Sequence, residues 1–261
     1  MSSIFDDLEI QRNALALAEQ IGGRRGALLL DLLPCAGWQV TEPRFVQRVY
    51  LDALDGQPTN LQLAQAKQMA GALSSCGMFW ESGYRNIGGD WPLLWKFYGL
   101  RCLISLEQAI TAELPFARHH GAWFDAVAWL EGMQFPREGD AVIMGNNTAA
   151  YARGMANFQH LGNMALWADG FAHFIDGGQP GIKIRTRAFV EVWTGSKGGR
   201  RTGELWLANV DPQTGAVPLS ADGRPQKGRR VVGWISPVSL PYRTPRPEDG
   251  ENAYPDERLS G

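Results

Sequence analysis

The chain has 261 residues, 44% of them hydrophobic, enough to build a substantial core and too many for a disordered polymer. A formal net charge of −2 gives no general attraction for nucleic acid or an anionic membrane surface. Three cysteines, Cys35, Cys76 and Cys102, are too few and too far apart for a disulfide framework or a CxxC-type zinc site.

The N-terminal stretch MSSIFDDLEIQRNALALAEQ is acidic and amphipathic rather than basic-then-apolar, and no run approaches the length of a membrane span. The expectation is a soluble product of the cytoplasm that needs delivery if it acts elsewhere. From Ile4 to Ile21 apolar residues recur at helical spacing, and Gly22-Gly23 ends the run. A second apolar run, Ala27 to Leu33, stops at Pro34. Thr41 caps a further helix with Pro43 in its first turn and Phe45, Val46, Val49, Tyr50 and Leu54 inward. Another helical run spans Thr59 to Ala72. Residues 1–73 therefore read as a helical layer.

Ser74 and Ser75 open the next helix, in which Cys76, Phe79, Trp80, Gly83, Tyr84 and Ile87 fall on one face. A cysteine on such a face is ordinarily a small core residue. Cys76, however, lies in the first turn, where backbone N–H groups and the helix dipole stabilise a thiolate and can hold an oxyanion. Neither Cys35, just after a proline, nor Cys102, within a later helical run, has that placement. Helices are expected from Trp91 to Ala112 and from Phe116 to Met133. His120 aligns with Trp123, Phe124 and Val127 on the second, an ordinary structural position, and its pairing with His119 is not a metal-ligand spacing.

After Pro136 the pattern turns to β. Gly139-Asp140 leads into the buried run Ala141 to Met144, and an Asn- and Gly-rich loop follows. Then Phe158, His160, Gly162, Met164 and Leu166 alternate, Asp169-Gly170 reverses the chain, and Phe171, His173 and Ile175 alternate again. Two imidazoles thus sit on adjoining strands of one hairpin. Further strand-like runs are Ile182 to Trp193, Glu204 to Ala208 and Arg230 to Ile235. The segment from Gly181 to Arg230 holds ten Lys and Arg against four acids, so it carries +6 and the remainder −8. Its Gly-rich turns make solvated hairpin tips the simpler reading of that charge. The tail 241–261 is polar and proline-rich, a loose extension.

The succession SSCGMF opening a helix, GDAVIM, HLGNMALWADG and FAHFIDGG resembles the NlpC-type cysteine peptidases and their CHAP-like amidase relatives. The resemblance runs from about Ser74 to Ile184. It implies an α+β, papain-like fold with a helical first half packed on a mostly antiparallel sheet. The hydrolase-like domain would span residues 74–240 and carry a helical insert. Carried over residue by residue, it implies Cys76 as nucleophile, His160 as base and His173 as the orienting group. Simple pairing across Asp169-Gly170 leaves Asp176 or Gly177 opposite His160, so Asp176 is a rival third member unless a bulge shifts the register. The family motif usually has Asp before the cysteine and Ser after it, where this chain has Ser75 and Gly77.

The implied activity is cleavage of amide bonds in peptidoglycan stem peptides, without cofactor or metal. A phage or a secretion system would deliver the protein to the cell wall or periplasm, with a cognate inhibitor or the delivery apparatus as partner. Two other readings stand beside it: a non-catalytic structural or partner-binding protein with Cys76 simply buried, and a cysteine acyl hydrolase or transferase with another substrate.

Overall fold

A computed structural model describes residues 3–39, 41–50, 59–61, 63–64, 76–90, 97–98, 101–102, 114–145, 158–177, 181–197 and 200–242. The expected helix over Thr59 to Ala72, the Asn- and Gly-rich loop before Phe158 and the tail beyond Tyr242 lie largely or wholly outside them.

The helical layer begins with α1, Asp7–Ile21, whose first turn is capped by Asp6 accepting from the N–H groups of Leu8 and Glu9. Helix α2, Gly23–Leu32, follows directly and runs into a 3-10 turn over Leu33–Cys35. A short turn Pro43–Phe45 comes next, and later the Cys76 helix, Cys76–Asn86. These elements bury Leu28, Leu29, Leu32, Phe45, Phe79, Trp80 and Tyr84 in one cluster with Leu161, Ile175 and Ile184 of the sheet. At roughly 25 cal/mol per Å² of apolar surface, this shared cluster is the main force joining the helices to the strands. Among the described residues no helix is long and apolar enough to cross a membrane.

Two expected helices break. Within Trp91 to Ala112, the described residues form a small antiparallel pair, β1 (Phe97–Tyr98) and β2 (Arg101–Cys102). Phe116 to Met133 divides into a helical turn at 114–119, strand β3 (Trp123–Asp125) and a short helix Ala126–Leu130. Asp125 caps that short helix through the Val127 N–H. Trp123 and Phe124, which have helical spacing relative to His120, join the ladder instead, pairing with Ile235 and Trp234 and leaving both side chains half-buried.

The remaining strands are β4 (Ala141–Gly145), β5 (Phe158–Ala168), β6 (Phe171–Gly177), β7 (Ile182–Lys197), β8 (Arg200–Asn209) and β9 (Gly228–Ile235). All pair antiparallel in the order β9-β4-β5-β6-β7-β8, and β8 pairs back onto β9 through Trp206↔Arg230, Leu207↔Arg229 and Ala208↔Gly228. The sheet is therefore a closed six-stranded barrel, with β3 added on the free part of the β9 edge. This corrects the expected papain-like arrangement of helices on a sheet: closure leaves no open sheet. Inside, Val142, Met144, Met164, Phe174, Leu205, Leu207, Val231 and Trp234 fill the lumen.

The charged residue that fastens the two layers is Arg25 of α2. Its Nη1 donates to Asp140 Oδ1 at 2.6 Å and to the Glu138 carbonyl at 2.9 Å, and Nη2 donates to Ser236 Oγ at 2.9 Å. Asp140 stands immediately before β4 and Ser236 immediately after β9, so one guanidinium ties α2 to two neighbouring barrel strands.

Candidate active site

His160 lies near the start of β5 and Asp176 near the end of β6, at the same end of the barrel. His160 Nε2–H donates to Asp176 Oδ2 at 2.9 Å, and both side chains are largely buried, 18% and 7% exposed respectively. The second partner of the imidazole is the Cys76 thiol, which hydrogen-bonds it from the first residue of the Cys76 helix. With Nε2 engaged by Asp176, Nδ1 is the ring nitrogen left for sulfur. Cys76 is itself fully buried within the cluster shared by helices and sheet.

Burial alone would lower the affinity of His160 for a proton, but the Asp176 carboxylate and the Cys76 thiolate overcome it and push the pKa up to about 10. The favoured state of the ring is therefore the imidazolium, held between the Asp176 carboxylate and the Cys76 sulfur. Asp176 Oδ1, the other carboxylate oxygen, is buried without a hydrogen-bond partner among the described residues. It packs over Gly162, where a Cβ would stand 2.5 Å from it. Gly162 is thus the small residue that lets Asp176 lie flat across β5 toward His160.

The sequence-derived members separate accordingly. Cys76 and His160 come together; His173 does not join them. Its Nδ1 is 3.0 Å from Thr186 Oγ1 of β7, and its ring meets Phe5, on the helix-covered face of the sheet. A bulge decides this. Near the turn, Ala168↔Phe171, Trp167↔Ala172 and Leu166↔His173 keep the simple hairpin register, in which odd-numbered residues of β6 share the face of even-numbered residues of β5. Between Met164 and Leu166 the register shifts, giving Met164↔Phe174 and Asn163↔Ile175. Beyond it even faces even, so His160, Gly162 and Met164 share the lumen side with Phe174 and Asp176. The extra residue, Ala165, is buried against the helices. Face parity on either side of Ala165 was the signal available in the sequence, and a bulge at an alanine leaves no mark in composition.

Among the described residues no group of three or more His, Cys, Asp or Glu is placed to hold a metal ion. Two surface clefts lie away from the trio. One of about 560 Å³ is lined by Arg118, Trp123, Glu204 and Arg230, and one of about 360 Å³ by Trp129, Phe135, Met164 and Trp167. No protein-family model, curated protein or solved structure matches the chain.

Proposed function

We propose that this protein is a thiol hydrolase that cleaves amide bonds, with Cys76 as nucleophile, His160 as its base and Asp176 as the group that orients His160. The observation that carries the reading is the continuous hydrogen-bonded series from Cys76 through His160 to Asp176. Each part of the chemistry has a residue. The Cys76 thiolate attacks the carbonyl carbon, and backbone N–H groups of the first helical turn hold the oxyanion. Protonated His160 gives its proton to the departing amine as the C–N bond breaks. The neutral imidazole then takes a proton from water, the hydroxide adds to the thioester, and sulfur leaves as thiolate. Peptidoglycan stem peptides are the proposed substrate, on the resemblance of the SSCGMF, GDAVIM and HLGNMALWADG segments. Action on them would require delivery to the cell wall.

The test is digestion of muropeptides by the wild-type protein and Cys76→Ala. New amines and carboxylates released only by the wild type are expected; identical digests would overturn the proposal. Complete burial of Cys76 favours a second reading, a non-catalytic protein in which the trio is a buried polar fastening. Iodoacetamide separates the two. A hydrolase opens to the reagent and labels at Cys76 ahead of Cys35, whose thiol burial pushes up to about 11, whereas equal inertness of both cysteines supports the fastening.

A further inference from the structure

β7 begins at the barrel end where Asp176 lies, and its register fixes which of its side chains share that face. Asp176↔Lys183, Phe174↔Arg185 and Ala172↔Arg187 are direct cross-strand pairs. Phe174 and Ala172 belong to the lumen cluster, so Lys183, Arg185 and Arg187 lie in a row on the same side of the sheet as Asp176. Arg229, paired with Leu207 at the start of β9, falls on this side as well. Two strands, β7 and β9, thus bring four cations toward the end of the barrel that carries His160.

Like charges so close repel. Arg187 is half-buried and stands within electrostatic reach of Arg185 and Arg229, with Asp176 as the opposing charge. Asp7, at the start of α1, is within reach of Arg185 and Lys183 and offsets part of their charge. Among the described residues no side-chain hydrogen bond or ion pair holds Lys183, Arg185 or Arg187. Arg224, in the same basic segment, differs: Glu204 and Asp222 neutralise it. A row of cations that begins directly across from Asp176, and whose charge Asp7 and Asp176 offset only in part, is suited to an incoming anion.

We propose that Lys183, Arg185 and Arg187, with Arg229 adding to their field, hold a carboxylate of the substrate beside the amide bond that Cys76 attacks. The inference rests on the hydrolase reading and names its substrate class: peptides bearing a free carboxylate near the scissile bond. Arg187, the most buried of the row, would anchor the carboxylate, and the exposed Lys183 and Arg185 would draw it in.

The experiment compares two peptides identical except that one carries the carboxylate and the other a carboxamide. The wild type is expected to favour the carboxylate by roughly ten- to a hundredfold in kcat/KM, the range of one hydrogen bond to a charged group. Lys183→Gln/Arg185→Gln, both at exposed positions, is expected to collapse that ratio mainly through KM, and Arg187→Gln to collapse it further. Arg12→Gln, which removes one positive charge on the exposed face of α1 as Arg187→Gln removes one from the row, should keep the wild-type ratio. Cleavage of both peptides at one rate, insensitive to these substitutions, would overturn the inference and leave the hydrolase reading intact. If neither peptide is cleaved, the hydrolase reading fails, and calorimetry on Cys76→Ala decides the site. Carboxylate-selective binding lost with Lys183→Gln/Arg185→Gln supports it; equal binding, or none, overturns it.

Discussion

Replacing Asp176 by Asn probes the proposed chemistry most directly, because it keeps the shape of the side chain and removes its charge. The carboxylate is 2.9 Å from His160 Nε2, with both groups largely out of water. At an effective dielectric constant of about 20, unit charges about 4 Å apart attract by about 4 kcal/mol. Burial opposes the imidazolium and consumes part of that. A net of about 3 kcal/mol corresponds to roughly a hundredfold fall in the thiolate–imidazolium population. Loss of the fixed ring orientation extends the effect toward the ~10³–10⁴ associated with a positioned acid–base group. Amide hydrolysis by Asp176→Asn should therefore drop about 10²- to 10⁴-fold. The iodoacetamide rate at Cys76 should lose its plateau at neutral pH and rise only at alkaline pH. His173→Ala, whose ring meets Thr186 and Phe5 on the other face, should keep hydrolysis within about threefold while losing a fraction of stability. A fully active Asp176→Asn, or an inactive but folded His173→Ala, would refute the assignment.

Gly162→Ala should push Asp176 away from His160, since the added Cβ would stand 2.5 Å from Oδ1; hydrolysis falls and unfolding free energy drops by about 1–3 kcal/mol, and wild-type activity in this variant would show that Asp176 need not lie there. Arg25→Ala leaves the buried Asp140 carboxylate without its guanidinium and should destabilise the fold by about 3–5 kcal/mol in urea titration; a loss below about 1 kcal/mol would show that the fastening is dispensable. The pH dependence has a definite sign. His160 is raised from 6.5 to about 10 by Asp176 and Cys76 against burial, so the stability it contributes is complete below pH 6.5 and lost as pH rises through about 10. Asp140, raised from 3.8 to about 6 chiefly by burial, contributes below pH 3.8 and loses that contribution as pH rises through about 6. Urea midpoints from pH 4 to 10 should show both descents, and Asp176→Asn should flatten the alkaline one.

Local structure was legible wherever short-range pattern determines it. The Cys76 helix, the strand after Asp140 and the hairpin around Asp169-Gly170 follow from periodicity and turn chemistry. Barrel closure was not legible, because it depends on β8 meeting β9 through pairs such as Trp206↔Arg230 and Ala208↔Gly228, whose residue types do not specify a partner. The pairing of Trp123 and Phe124 with β9 hid for the same reason: helical spacing in the sequence yielded to a distant strand. Of the candidate site, Cys76 and His160 were readable as residue types in plausible positions. The choice of third member between His173 and Asp176 was not, because one extra alanine between Met164 and Leu166 exchanges the faces of everything upstream in β5. The cationic row was visible only as net charge, since solvated hairpin tips and a lined barrel end have the same composition.

The Cys76–His160 contact joins two layers of the molecule, so its geometry depends on how those layers dock. His160 and Asp176 are fixed by neighbouring strands of a closed barrel, which gives them little freedom relative to each other. Cys76 arrives from the helical layer, and its helix is positioned by α2: a Cβ at Gly83 would stand 2.5 Å from a Leu32 methyl and 3.1 Å from a Leu28 methyl, so the two helices pack at near-minimal separation there. Helix α2 is in turn held to the barrel by Arg25 through Asp140 and Ser236. The relay from barrel to sulfur thus runs through Arg25, the Leu28 and Leu32 face of α2, and Gly83. A displacement of about 1 Å anywhere along it shifts the thiol relative to the imidazole while leaving the His160–Asp176 pair intact. Loss of hydrolysis with an unperturbed histidine–aspartate pair is therefore the signature of a disturbed interlayer contact, and it separates that failure from damage within the barrel itself.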